Sequence, residues 1–240
     1  MSIHEVADGL TTRILSWWYR LTDRNKSAVL KVKEEKLTYL TSRDLLNLFQ
    51  AARQVETAGI PGLFIEAGCA LGGSAIALAR AKATGREFRI YDAFGMIPPP
   101  SEKDDADVHA RYEVIKSGQS SGIGGDPYYG YTENLQAVVS GNLTKHGLPP
   151  QTNNIKLIKG YFEDTLRITE PVALAHIDCD WYASVMSCLR QIEPCLSPGG
   201  KLIFDDYYDW SGCRNAVDEY FDGKTGYVFS RVGRKLHVTK

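Results

Sequence analysis

Two short apolar runs, Ala173-Leu174-Ala175-His176-Ile177 and Lys201-Leu202-Ile203-Phe204, each stop at carboxylates: Asp178-Cys179-Asp180 after the first and Asp205-Asp206 after the second. Short, nearly continuous apolar runs read as strands buried on both faces, as in a parallel sheet covered by helices. In such sheets ligands bind beyond the carboxyl ends of the strands. The chain is therefore expected to be an α/β fold that aims several acids from adjacent strands at one spot. Crowded carboxylates repel one another, and burial disfavours their charged form, so a cation among them resolves the conflict. Oxygen-only ligands from Asp suit magnesium.

The rest of the chain alternates between strand and helix. Leu63-Phe64-Ile65-Glu66-Ala67 reads as a strand, Gly68 to Gly73 as a glycine-rich turn and Ser74 to Ala83 as a helix. Such a turn lets the backbone approach a ligand closely at a helix N-terminus. Position 70 is alanine, so the G-x-G-x-x-G pattern of dinucleotide sites is missing, as is the lysine of a phosphate loop. A phosphate-free donor, S-adenosylmethionine, fits better. Its expected contacts are Glu66, Gly68, Gly72 and Ser74 at the turn and Asp92, which ends the next strand where a ribose diol would be held. Gly160 and Phe162, after the strand Ile155–Lys159, are expected at the adenine. Thr41, at a helix start, and Asp178 are further candidates for cofactor contact.

Helices are also expected over Leu10–Leu21, from Ser42 through Val55, from Thr132 to His146, from Tyr182 to Leu196 and from Gly212 onward. Tyr227–Ser230 and Lys235–Val238 close the sheet as an antiparallel pair joined at Gly233. The expected architecture is thus Rossmann-like and doubly wound, with a mostly parallel seven-stranded sheet and a reversed C-terminal strand. Residues 1–40 are read as an N-terminal helical extension and 41–240 as the catalytic domain. Residues 95–131, with little periodicity, are read as a lid insertion. The apolar stripe Leu10, Ile14, Trp17, Trp18 and Leu21 must pack on the domain, on the mouth of the site or on a second copy; a homo-oligomer is expected.

A net charge of −1 offers no electrostatic case for nucleic acid or an anionic membrane. The first ten residues lack a secretion signal and no run would span a bilayer, so a cytoplasmic location is expected. The five cysteines match neither a zinc pattern nor a disulfide framework.

Phe64-Ile65-Glu66-Ala67-Gly68, Tyr91-Asp92-Ala93-Phe94, His176 to Tyr182, Asp205-Asp206-Tyr207 and Gly212-Cys213-Arg214 together resemble the macrocin O-methyltransferase family, within the class I methyltransferases. The resemblance implies transfer of a methyl group from S-adenosylmethionine to a hydroxyl, with a sugar of a glycosylated natural product as substrate. It further implies magnesium at Asp178, Asp205 and Asp206, Asp180 as general base, and a lid over the substrate. Cation-dependent catechol methyltransferases share such a metal arrangement but use a lysine base at the position of Trp181, which makes them the nearest alternative. A nicotinamide-dependent oxidoreductase or a non-catalytic nucleotide-binding module is the rival from another class.

Overall fold

The computed structural model describes residues 3–240. Helices α1 (Ile3–Thr22), α2 (Arg24–Glu34) and α3 (Ser42–Thr57) precede β1 (Leu63–Ala67), α4 (Gly73–Ala81) and β2 (Phe88–Asp92). Next come α5 (Ala106–Lys116), α6 (Leu135–Lys145), β3 (Ile155–Lys159), the single turn α7 (Phe162–Thr165), β4 (Val172–Ile177) and α8 (Tyr182–Ile192). The chain closes with β5 (Leu196–Phe204), α9 (Ser211–Phe221), β6 (Val228–Val232) and β7 (Lys235–Thr239). The strands form one sheet in the order β3-β2-β1-β4-β5-β7-β6. Strands β1 to β5 pair in parallel, while β7 runs antiparallel to both β5 and β6.

Alternation of side chains along the strands feeds two cores. Phe64, Phe88, Ile90 and Leu174 join α2, α3, α4 and α6 on one face. Ile65, Tyr91, Ala175, Leu202 and Phe204 join α8 and α9 on the other. This is the expected doubly wound sheet.

Three features add detail to the expected architecture. Residues 24–34 form a helix capped by Asp23, whose carboxylate accepts from Asn25 and Lys26 N–H. Val29, Leu30, Val32, Leu37 and Leu40 belong to the same core as α3 and α4. Secondly, the stripe Ile14, Trp17, Trp18 and Leu21 is exposed, while Thr12 and Ser16 are buried and Leu15 and Tyr19 pack toward the core. The Leu10 side chain lies outside the described residues. Thirdly, the insertion 95–131 contains α5, whose weak periodicity reflects a helix that buries only Val108 and Ile115. Among the described residues, no helix is long and apolar enough to cross a membrane.

One row across the sheet has a consequence for acid stability. His176 on β4 opposes Ile203 on β5, which opposes His237 on β7. Burial, then the positive charges of Lys201 and His176, pull the His237 pKa down to about 4. The unfolded chain, with an ordinary value near 6.5, binds that proton first, so stability is full above about pH 6.5 and falls as the pH drops toward 4. The loss is on the order of 3 kcal/mol. Urea unfolding of a His237→Gln variant is expected to show a flatter pH dependence across that window than the parent chain.

Candidate active site

Four strand ends converge. Gly68 leaves β1 at φ +86°, with its N–H donating to Tyr91 O at 2.9 Å, and a Cβ here would overlap the carbonyl oxygen of Asp178. A left-handed backbone and this close approach both require glycine. The Asp178 N–H in turn donates to Ala67 O at 2.8 Å, tying the β4 turn to the β1 turn. At the end of β2, the Asp92 carboxylate accepts from Cys69 N–H at 2.8 Å and Phe94 N–H at 2.7 Å. Burial nevertheless raises its pKa, against those backbone bonds.

Two cavities meet at Gly68, Tyr129, Asp178 and Asp180. The larger, about 290 Å³, also reaches Tyr39, Thr41, Arg111, Tyr128, Trp210 and Lys235. The smaller, about 50 Å³, is bounded by Asp92, Gly160, Tyr161 and Phe162 among others. Thr41 is the N-cap of α3: its hydroxyl accepts from Asp44 N–H at 3.1 Å and donates to the Asp44 carboxylate at 2.7 Å.

Glu66, Gly72 and Ser74, expected at the cofactor, line neither cavity. The Glu66 side chain is fully buried and accepts from the Ser74 hydroxyl, while His176 Nδ1 lies 3.2 Å from both its oxygens. The physical cause is register, since Glu66 and His176 are direct neighbours across β1 and β4. Burial lowers the His176 pKa, but the charge of Glu66 and the flanking Asp205 overcome it and hold the value near 10. His176 is thus a charged link inside the sheet.

The acid cluster lies beyond β4 and β5. Ligand atoms of His176, Asp178 and Asp205 lie within 4.8 Å of one another. Asp206 is turned differently, with Oδ2 accepting from Asp180 N–H at 3.3 Å. Burial, and then the neighbouring acids, push Asp178 and Asp206 well above the usual carboxylate range. Burial and the charge of Asp205 raise Asp180 to about 6. Asp205 alone goes down, because bonds and charges from His176 and Lys235 outweigh its burial. Its Oδ1 is buried without a hydrogen-bond partner.

The insertion 95–131 is seated on helix starts. Asp104 Oδ1 accepts from Tyr182 N–H at 2.7 Å at the start of α8, and Asp107 Oδ2 accepts from Ser211 N–H at 3.1 Å at the start of α9. Acidic side chains satisfy the orphan donors of helix N-termini and their positive end. Trp181 Nε1–H donates to Pro98 O at 3.0 Å. Tyr128 and Tyr129 line the larger cavity, and Arg111 lies over the Tyr128 ring at 6.0 Å.

Sequence reasoning passed over Tyr39, Arg111, Trp210, Arg234 and Lys235. Lys235 carried one usable signal, a charged residue opening an apolar strand, but its partner depends on strand register. His109 and Arg214 are exposed and line neither cavity.

Residues 34–225 match the model of the macrocin O-methyltransferase (TylF) family. The 8-demethyl-8-(2,3-dimethoxy-alpha-L-rhamnosyl)-tetracenomycin-C 4'-O-methyltransferase of Streptomyces olivaceus is 32% identical over 189 residues, covering 76% of this chain and 67% of that protein. The mycinamicin III 3''-O-methyltransferase of Micromonospora griseorubida is 28% identical over 192 residues, covering 77% and 70%. Among solved structures, the O-methyltransferase NovP superposes with a TM-score of 0.70 at 24% identity, over 85% of this chain and 82% of that one, and so shares the fold. The family match, spanning most of the chain and including the four strands whose ends converge at the site, shows that this protein belongs to the macrocin O-methyltransferase family of methyl-transferring enzymes.

Proposed function

We propose that the chain moves the methyl group of S-adenosylmethionine to a hydroxyl on a sugar of a glycosylated natural product, with magnesium held by Asp178, Asp205 and Asp206. The observation that carries this reading is the placement of Asp180 at the junction of the two cavities, beside an acid cluster with an unpartnered oxygen at Asp205 Oδ1. Buried carboxylates that raise one another's pKa fit a hard divalent ion, whose charge would offset their repulsion. The sugar class is taken from the relatives, two of which are named for methylation of a glycosylated antibiotic.

Donor and acceptor divide the two cavities. Asp92, Gly160 and Phe162 would hold the ribose and adenine of the donor, and the turn at Gly68 would let its reactive end approach Asp178. The acceptor would enter from the larger cavity, where Tyr128 and Tyr129 present apolar faces and hydroxyls suited to a sugar. The donor supplies an electrophilic methyl on a sulfonium, and the ion supplies a positive charge that favours the deprotonated form of a hydroxyl beside it. Asp180 takes the hydroxyl proton as attack proceeds, and its raised pKa makes it a better base than an ordinary aspartate. Trp181, in the place of the catechol enzymes' lysine, is buried with its N–H engaged by Pro98 and has no basic atom to offer. Tyr128, Tyr129 and Trp181 exclude water, so the two reacting groups meet in a fixed geometry.

Glycosylated natural products and catechols, offered as acceptors with labelled donor, test the reading. Transfer to a sugar hydroxyl is expected, and transfer to catechols alone would replace the substrate class. S-adenosylhomocysteine should raise the melting temperature, and a rise with NAD in its place would favour an oxidoreductase. A vicinal diol would orient one oxygen for attack, so acceptors with the neighbouring hydroxyl blocked are expected to react slower by about tenfold or more. Equal rates on blocked and free diols would show that one oxygen suffices.

A further inference from the structure

Lys235 has no task in the chemistry above, yet it is 8% exposed and lines the acceptor cavity. Strand reversal puts it there. Leu236 of β7 pairs with Phe204 of β5 in antiparallel register, so the first residue of β7 stands beside Asp205, the first residue beyond β5. Lys235 Nζ lies 2.7 Å from Asp205 Oδ2 and 2.8 Å from its main-chain oxygen. Asp209 Oδ2 is farther, at 3.7 Å, and the other oxygen of that carboxylate takes Arg234 at 2.8 Å. Asp205 Oδ1 makes no hydrogen bond, with His176 Nε2 at 3.6 Å. A buried ammonium persists only when paired, and a crowd of buried acids persists only with positive charge nearby. The Lys235–Asp205 ion pair serves both needs, alongside the positive charge of His176.

We propose that Lys235 is a resident counter-cation of the acid cluster: it holds Asp205 by Oδ2, leaves Oδ1 as that residue's free oxygen for a divalent ion, and keeps the ion exchangeable by opposing its charge. The proposal rests on the magnesium reading of Asp178, Asp205 and Asp206. It differs from a positioning role in the sign of one measurement. A residue that only orients a ligand weakens metal binding when removed, typically by 10- to 100-fold. Removal of a competing positive charge strengthens it.

The test is the affinity of the full chain for Mg²⁺ and Mn²⁺ by titration calorimetry, together with thermal unfolding in chelator and in saturating ion. Lys235→Met and Lys235→Gln are expected to bind the ions tighter by about tenfold or more, as Coulomb's law requires for a charge removed this close to the site. Both should melt lower than the parent in chelator and gain more from added ion. Lys235→Arg keeps the charge and should stay within about threefold of the parent. Equal or weaker binding by the Met and Gln variants overturns the proposal, as does failure of both to fold in saturating ion, which should substitute for the ammonium. If the parent chain and all variants take up no ion, the magnesium reading itself falls; if the parent binds and the Met and Gln variants bind no tighter, only the role of Lys235 falls.

Discussion

Asp180→Asn is expected to lower kcat by about 100- to 10,000-fold, the range for loss of a general base. Binding of S-adenosylhomocysteine should stay within a few-fold of the parent, and the fold should survive. The reason lies in the backbone. Asp180 sits at φ +55°, in the left-handed region where asparagine and aspartate are the side chains most at ease after glycine. Asn keeps that conformation and keeps the Asp180 N–H bonded to Asp206 Oδ2. An alanine would add backbone strain of about 1 kcal/mol or more and blur the comparison. Since burial and the Asp205 charge already disfavour the ionised Asp180, the neutral Asn should melt no lower than the parent. Single-turnover rates with pre-bound donor separate the chemical step from binding. Undiminished turnover in Asp180→Asn would remove this residue from the reaction and direct attention to another acceptor for the proton.

Stripping divalent ions with a chelator is expected to reduce methyl transfer to background, with recovery on adding Mg²⁺ and no recovery with Ca²⁺. Magnesium demands a compact octahedral shell, whereas calcium takes longer and more numerous oxygen contacts that would displace a chelated diol. The structure gives this its electrostatic basis: burial drives Asp178 and Asp206 toward protonation, and the charge of Asp205 adds to it at Asp178 and that of Asp180 at Asp206. A divalent ion would reverse that tendency and draw the carboxylates into their charged form. Added Mg²⁺ should therefore release protons, measurable in a weakly buffered titration. Full activity in a metal-free preparation verified by elemental analysis would refute the magnesium reading while leaving the family assignment intact.

Much of the site could be read before folding was known because strand ends carry position in their sequence. Asp92, Asp178 and Asp205-Asp206 each follow an apolar run, and in a parallel sheet every such end points to the same edge. Gly68 was legible for a similar local reason, since a turn between strand and helix that admits a ligand needs a left-handed backbone. Glu66 shows the limit of this reasoning. It stands in the right motif, but side chains alternate across a strand and its neighbour on β4 is His176, so its carboxylate turns into the sheet. The stretch 95–131 was legible as an insertion, while α5 was not: it is tied down by single acids on the starts of α8 and α9 rather than by an apolar stripe.

Periodicity and the order of apolar runs determined, with no tertiary information, a doubly wound sheet with its acids at one edge, because burial on one or two faces is written in the spacing of apolar residues. Only the folded chain decided which charges meet. Lys235 reaches Asp205 because β7 runs backwards along β5, and Asp206 accepts from the N–H of Asp180, a residue in the left-handed region. Such pairings depend on register and direction between segments far apart in the chain, and those are set by the packing of the whole sheet.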